Sequence, residues 1–173
     1  SVPLSRGVAA CIYPSVKACE QHLALGFRSD NAVLIPNGFD LARFRPMSYE
    51  ERSGARNAIG VGEGDFLIAH VARFHPMKDH LGFLRAISQV VRRKSNVRVA
   101  MAGLGVSESN SALSSIIDEL GLRNHVFLLG ELRDVGPLLG SADCLCVSSA
   151  WGEAFPNVIG EAMATGTPCV VTD

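Results

Sequence analysis

The sequence predicts a doubly wound α/β fold, a parallel sheet of about five strands with helices on both faces, and three observations predict it. Short apolar runs of strand length recur from Phe66 onward, in FLIAHVARF, NVRVAMAGLG, HVFLLG, DCLCVSS and PCVVTD. Segments of helical composition separate them, so strand and helix alternate in the manner of βαβ units. Glycine and proline mark the junctions, among them Gly60, Gly103, Gly105, Gly166 and Pro168. The right-handed crossover rule then distributes helices over both faces. In such a sheet, ligands bind outside the carboxyl ends of the strands.

Taken in order, GVAACIYPS reads as a strand ending at Pro14, and Ser15 is placed to cap a helix over Val16 to Leu25 that stops at Gly26. Ala32 to Ile35 is a second short strand. In IPNGFDLARFRP, Pro36, Asn37, Gly38 and Pro46 mark an irregular connector. Residues 1–36 are too few for a domain and read as the tail of one, 37–46 as a linker, and 47–173 as the main domain. SYEERSGARNAIG has helical composition and ends at Gly60, before a loop with Gly62 and Gly64.

The helix predicted over DHLGFLRAISQVVRRK carries Leu81, Leu84, Ile87 and Val91 at core-facing spacing, with Arg92, Arg93 and Lys94 where cations favour a helix C-terminus. SALSSIIDELG is a further helix and VGPLLGSA a short helical turn. The final stretch, SSAWGEAFPNVIGEAMATGTPCVVTD, leaves a strand through a loop with Gly152, Glu153 and Pro156. It enters a short amphipathic helix with Val158, Ile159, Ala162 and Met163 on one face, then passes Gly166 and Pro168 into the last strand.

Bulk properties narrow the function classes. At 173 residues the chain suits one core-forming domain with a short piece of a second. A hydrophobic content of 47%, a charged content of 19% and a net charge of -1 fit a soluble protein and give no reason to expect nucleic-acid binding. No apolar run reaches the ~18 residues of a spanning helix, and Val2 to Val8 is interrupted by Pro3, Ser5 and Arg6, unlike a signal peptide. Cys11, Cys19, Cys144, Cys146 and Cys169 are odd in number with no CxxC, which suits reduced thiols in a cytoplasm. Cys144 and Cys146 alternate on one strand face and read as core. His70, His75 and His80 fall five apart, a spacing that does not share a helix face, so no metal site is expected.

Four loops lie at the predicted carboxyl ends. In ARFHPMKDH, Arg73 and Lys78 flank a short turn with Pro76 and can converge on one point; a planar fork and a point charge suit a diphosphate, although spacing alone favours solvated surface charges. In MAGLGVSES, Gly103 and Gly105 permit positive φ and close approach of a ligand. A dinucleotide fingerprint would need a further glycine where Glu108 stands. LLGELRDVGPLL presents Glu131 and Arg133 just past a strand. In the last loop, Glu153 precedes the helix and Glu161 lies in its second turn, where carboxylates can accept sugar or ribose hydroxyls. A helix N-terminus beside them offers unpaired N–H groups.

These residues carry a resemblance. GEAFPNVIGEAMATGTPCVVTD resembles the E-x7-E region of the retaining group 1 glycosyltransferases. IPNGFDLARFRP is similar to that family's interdomain connector, VARFHPMKD to its phosphate-binding loop, and VFLLGELRDVGPLLGSADCLCVSS to its base-binding region. The resemblance implies the C-terminal, Rossmann-like, nucleotide-sugar-binding half of the two-domain GT-B architecture. It implies that Arg73 and Lys78 bind and stabilise the donor diphosphate, that Glu161 holds the ribose, and that Glu153 contacts the transferred sugar. Backbone groups along Ala154, Phe155, Pro156, Asn157 and Val158 would lie beside that sugar, Gly103 and Gly105 beside the donor, and the peptides of Leu132 and Arg133 beside the base. It further implies no bound metal and no cofactor, the nucleotide diphosphate sugar being the donor substrate; the sequence has no DxD.

Ala72 and Asp79 stand where the family commonly has glycine, and Ala154 replaces the glycine usual after the first glutamate. The family's N-terminal domain, which supplies the acceptor site, is represented only by a last strand and helix, and the closing helices are absent, as in a fragment of a donor-binding domain. The implied activity is transfer of a sugar to a glycan or lipid-linked acceptor with retention, in polysaccharide synthesis. The implied location is the cytoplasm or its membrane face, with peripheral membrane contact in the parent protein. Alternatives from other classes are a nucleotide-sugar epimerase of the same fold, a non-catalytic nucleotide-sugar-binding module, and an NAD-dependent oxidoreductase, the last disfavoured by the incomplete glycine pattern.

Overall fold

The computed structural model describes residues 2–5 and 7–172, which divide into two units. The smaller takes in the residues up to Phe39 together with Glu153–Asn157; the larger takes in Asp40–Gly152 together with the residues from Val158 on. Asp173, which ends the last motif, lies outside the described residues, as do Ser1 and Arg6.

In the smaller unit a short helix α1 (Val2–Ser5), with no counterpart in the sequence reading, precedes β1 (Cys11–Tyr13), α2 (Val16–Ala24) and β2 (Ala32–Leu34). The strands pair in parallel, Cys11 opposite Ala32. Ser15 caps α2 as expected, its Oγ accepting from the Ala18 N–H at 3.1 Å, and Gly26 ends the helix region at φ +93°.

The larger unit begins with an irregular segment that buries Phe44. Helix α3 (Tyr49–Ala58) opens on a reciprocal cap: Ser48 Oγ accepts from Glu51 N–H at 3.2 Å, and the Glu51 carboxylate accepts from Ser48 N–H at 2.8 Å. Five strands follow, β3 (Phe66–Val71), β4 (Val97–Ala102), β5 (Val126–Leu128), β6 (Cys144–Val147) and β7 (Cys169–Val171). They form one parallel sheet in the order β5-β4-β3-β6-β7. This is the predicted fold class.

The period of two along the strands builds two cores, one on each face. Ile68, Val97, Val99 and Met101 point to one face, where α4 (His80–Arg93) and α5 (Ser111–Glu119) bury Phe83, Leu84, Ile87, Leu113, Ile116 and Ile117. Leu67, Ala69, Ala100, Ala102 and Leu145 point to the other, against Leu138 and Leu139 of α6 (Gly136–Ser141) and Ala162 of α7 (Asn157–Ala164). Cys144 and Cys146 do share a face and pack on the first core.

One helix face extends the expectation and one departs from it. On α4, Leu84 and Ile87 are buried and Leu81 and Val91 pack partly covered against the same core as expected, while the buried set also takes in His80 and Phe83. On α7, Met163 is 67% exposed, and the buried positions are Gly160 and Ala162. The buried face of α7 is thus made of small residues, and Met163 lies off it. Among the described residues no helix is long and apolar enough to cross a membrane.

Candidate functional site

The sheet reverses its winding between β3 and β6: β3 leads away to β4 on one side, and the chain returns to place β6 on the other. The crevice at such a switch point, outside the carboxyl ends, is where an open parallel sheet binds ligands. Backbone bonds lace the loops that rim it. Ala72 N–H donates to Ala102 O at 2.9 Å, Phe74 N–H to Leu104 O at 2.8 Å, Gly103 N–H to Gly130 O at 2.8 Å, and Ala150 N–H to Met77 O at 2.8 Å.

Arg73 leaves the end of β3, and Lys78 ends a 3-10 turn, Pro76–Lys78, on the same loop. The Arg73 side chain is exposed and has no carboxylate paired with it among the described residues. Lys78 is half-buried, and its pKa is lowered, first by burial and then by the charge of Arg73. Two like charges thus share one short loop, and their combined charge suits an anion. Asp79 sits at φ +42°, the one non-glycine residue at positive φ among those described, and caps α4 through Oδ1, 3.0 Å from Gly82 N–H. The left-handed backbone accounts for a glycine being common there; aspartate tolerates it and adds a cap.

Gly103 has φ +146°, and a Cβ there would lie 2.1 Å from the Ala72 carbonyl oxygen; Gly105 has φ +76°. Both conformations favour glycine. Leu132 tucks partly against the second core, and Arg133 is exposed with its carbonyl accepting from Arg43 Nη2 at 3.3 Å. Arg43 also pairs with Asp134 at 3.0 Å. Glu161 on α7 is half-buried; desolvation raises its pKa, opposed by Arg43 and reinforced by Asp134. Val158 packs on the second core.

Glu153, Ala154, Phe155, Pro156 and Asn157 belong to the smaller unit. There Asn37 Nδ2 donates to Asn157 Oδ1 at 2.6 Å, and the rings of Phe39 and Phe155 lie 6.2 Å apart. Pro156 has no N–H to offer a ligand. The structure therefore groups Arg73, Lys78, Gly103, Gly105, Leu132, Arg133, Val158 and Glu161 in one unit and the segment from Glu153 to Asn157 in the other. Among the described residues no three His, Cys, Asp or Glu side chains gather as a metal ion would need. An apolar groove of about 400 Å³ between α4 and the β6–β7 pair, lined by Phe83, Ile87, Val90, Cys146 and Val170, carries no cation and is not an anion site.

Sequence reasoning missed four residues that hold the loops. Arg43, in the connector, ties down the Arg133–Asp134 turn. His70 and His80 are buried and meet the half-buried Ser148: the His70 ring stacks on Phe83 at 4.4 Å and meets the His80 ring edge-on at 4.8 Å. His70 is on β3 and His80 opens α4, so a spacing that separates two residues of one helix does not separate these rings. A polar side chain at an inward position of a buried strand was the available signal.

Burial, then the neighbouring His80 charge, pushes the His70 pKa down to about 3. The unfolded imidazole, near 6.5, binds a proton that the folded one refuses, so this contribution to stability is present above pH ~6.5 and is lost as pH falls toward 3. Thermal melts of wild type and His70→Gln between pH 7 and pH 4 check this. Wild type should lose more stability on acidification than the variant; parallel losses would sink the assignment.

A model of the family described as glycosyl transferases group 1 matches residues 51–173. The D-inositol 3-phosphate glycosyltransferase of Nocardia farcinica is 32% identical over 156 residues, covering 86% of this chain and 34% of that protein. An Escherichia coli UDP-Gal:alpha-D-GlcNAc-diphosphoundecaprenol alpha-1,3-galactosyltransferase is 28% identical, covering 81% and 36%. The crystal structure of Anabaena HepE in complex with UDP-glucose superposes with a TM-score of 0.89 at 28% identity, over 98% of this chain and 46% of that one. The chain spans about a third of the length of the curated relatives it matches.

Proposed function

The chain belongs to the group 1 glycosyltransferases, and on that premise we propose that it forms the donor-binding part of a retaining enzyme. That enzyme moves a sugar from a nucleotide diphosphate sugar to a glycan or lipid-linked acceptor. The observation that carries the reading is the pair of cations at the switch point, Arg73 and Lys78, where burial first and the Arg73 charge second lower the Lys78 pKa. A bound diphosphate offsets both effects. As the glycosidic bond to the diphosphate breaks, negative charge grows on the leaving oxygen, and donors already fixed in place stabilise it without reorganising.

The other residues follow from their chemistry. Glu161, half-buried, accepts from the two ribose hydroxyls; its partial desolvation strengthens those bonds once made. Gly103 and Gly105 keep the donor's approach clear of side chains, and the peptide groups of Leu132 and Arg133, braced by Arg43, face the base. Glu153 accepts hydroxyls of the transferred sugar, with the N–H groups of Phe155 and Asn157 following it in the same segment. Binding needs no metal, because the two cations neutralise the diphosphate. The relatives reported above are transferases, which favours transfer over epimerisation, and the UDP-glucose complex of HepE makes a uridine donor the first to assay.

Calorimetry with UDP-, GDP- and ADP-sugars tests the reading. One nucleotide class should bind, and Arg73→Ala should weaken it about 30-fold or more, the loss of a charge-assisted bidentate contact. No binding by any donor, or an unchanged Arg73→Ala, overturns the site. In the full-length protein, product with the opposite anomeric configuration overturns retention.

A further inference from the structure

Hydrogen-bond valence in the buried histidine group fixes its protonation and its direction. Ser148 has one hydroxyl proton, and its Oγ lies 2.7 Å from the Lys78 carbonyl oxygen, which can only accept. That proton is committed. The contact between Ser148 Oγ and His70 Nε2, at 2.9 Å, must then run from an Nε2–H to the oxygen. His70 is accordingly the neutral Nε2–H tautomer. Its Nδ1 is buried without a partner, as is Nδ1 of His80, whose Nε2–H donates to the Ala72 carbonyl at 3.3 Å.

His80 directly, and His70 by way of the Ser148 hydroxyl, thus connect to the two carbonyls that flank the cationic loop. Ala72 immediately precedes Arg73, and the Lys78 carbonyl is the last of the turn that carries Lys78. His70 is 1% exposed, stacked on Phe83 and wedged against His80, so its donor cannot swing away. Phenylalanine or leucine would pack in the same space better than an imidazole with an unpartnered nitrogen. The burial cost calls for a return, and the return visible in the structure is a fixed loop.

We propose that His70, through Ser148, and His80 are positioning residues that hold the backbone of Lys78 and of Arg73 in register with the donor diphosphate. This rests on the phosphate-site reading above. Neither histidine touches the ligand. Each acts through the cation it seats, so the effect of His70 and Ser148 on binding must vanish when Lys78 is removed.

A double-variant cycle on UDP affinity, by calorimetry with the full chain, tests this. Ser148→Ala should weaken UDP about tenfold, the value of one lost, partly buried hydrogen bond. Ser148→Thr, which keeps the hydroxyl, should restore most of it. In a Lys78→Ala background, Ser148→Ala should cost no more than about twofold. His70→Gln, which keeps a donor at the Nε2 place, should bind better than His70→Leu. Ser148→Ala keeps the chain folded if the melting temperature stays within a few degrees, which separates positioning from stability.

Wild-type affinity in Ser148→Ala, or losses that add in the double variant, overturns the proposal. If Lys78→Ala itself leaves UDP binding unchanged, the phosphate-site reading fails first, and the proposal with it. If Lys78→Ala weakens binding while Ser148→Ala does not, the site stands and only the positioning role falls.

Discussion

Gly103→Ala is expected to destabilise the chain by about 3 kcal/mol or more and to lower the melting temperature by roughly 10 °C. The new Cβ would lie 2.1 Å from the Ala72 carbonyl oxygen and 2.9 Å from Arg73 N. Both are backbone atoms, so no side chain can turn aside. At φ +146° the substitution also forces an L residue into a conformation it rarely adopts. The displaced peptide is the one that launches Arg73, so nucleotide affinity falls with stability. Gly121 supplies the control: it sits at φ +68° with open space around its Cβ position, and alanine there should cost about 1–2 kcal/mol from backbone strain alone. Equal losses at the two positions, measured by thermal and urea denaturation, would show that close approach is not what demands glycine at 103.

Asp143→Ala is expected to cost about 3–5 kcal/mol. Arg56, on α3, has a side chain only 4% exposed, and Asp143, just ahead of β6, is its counter-charge at 3.3 Å. The same carboxylate accepts from Arg52 at 2.6 Å and from Leu67 N–H at 2.7 Å. The Arg56 guanidinium also donates to the carbonyls of Ser141, Gly62 and Asp65. Removing the carboxylate leaves a desolvated cation and an unpaired strand amide together. Asp143→Asn retains an acceptor for Leu67 N–H and should lose less than Asp143→Ala. A ΔΔG for Asp143→Ala within about 1 kcal/mol of zero, by urea denaturation, would mean water replaces the carboxylate freely and the network is ornamental.

The strands and helices were legible because their signals are local. FLIAHVARF and NVRVAMAGLG are apolar runs that nothing but buried parallel strands explains, and Ser15 and Gly26 bracket α2 where they predict. Loops were legible through topology, since a parallel sheet puts every strand's carboxyl end on one edge. What stayed hidden depends on contacts far apart in sequence. Asp143 reads as a polar residue before a strand until α3 delivers Arg52 and Arg56 to it. Arg43 reads as part of a linker until Asp134 meets it. His70 and His80 read as a spacing pattern until a strand and a helix N-terminus turn their rings toward each other. Met163 was misread because a helix wheel weighs hydrophobicity and not size, and the buried positions of α7 are the small Gly160 and Ala162.

The sheet order also sets when the crevice can exist. Phe66 finds Val97 across one short crossover, whereas Ile68 finds Cys144 more than twice as far along the chain. Closing a longer loop costs more entropy before any contact repays it, so β3 zips to β4 before it zips to β6. During synthesis the Arg73–Lys78 loop emerges with β4 to follow first, and Ser148, which meets the Lys78 carbonyl, comes 70 residues after it. Pulse-labelled hydrogen exchange during refolding would read this as protection on β4 amides preceding that on β6.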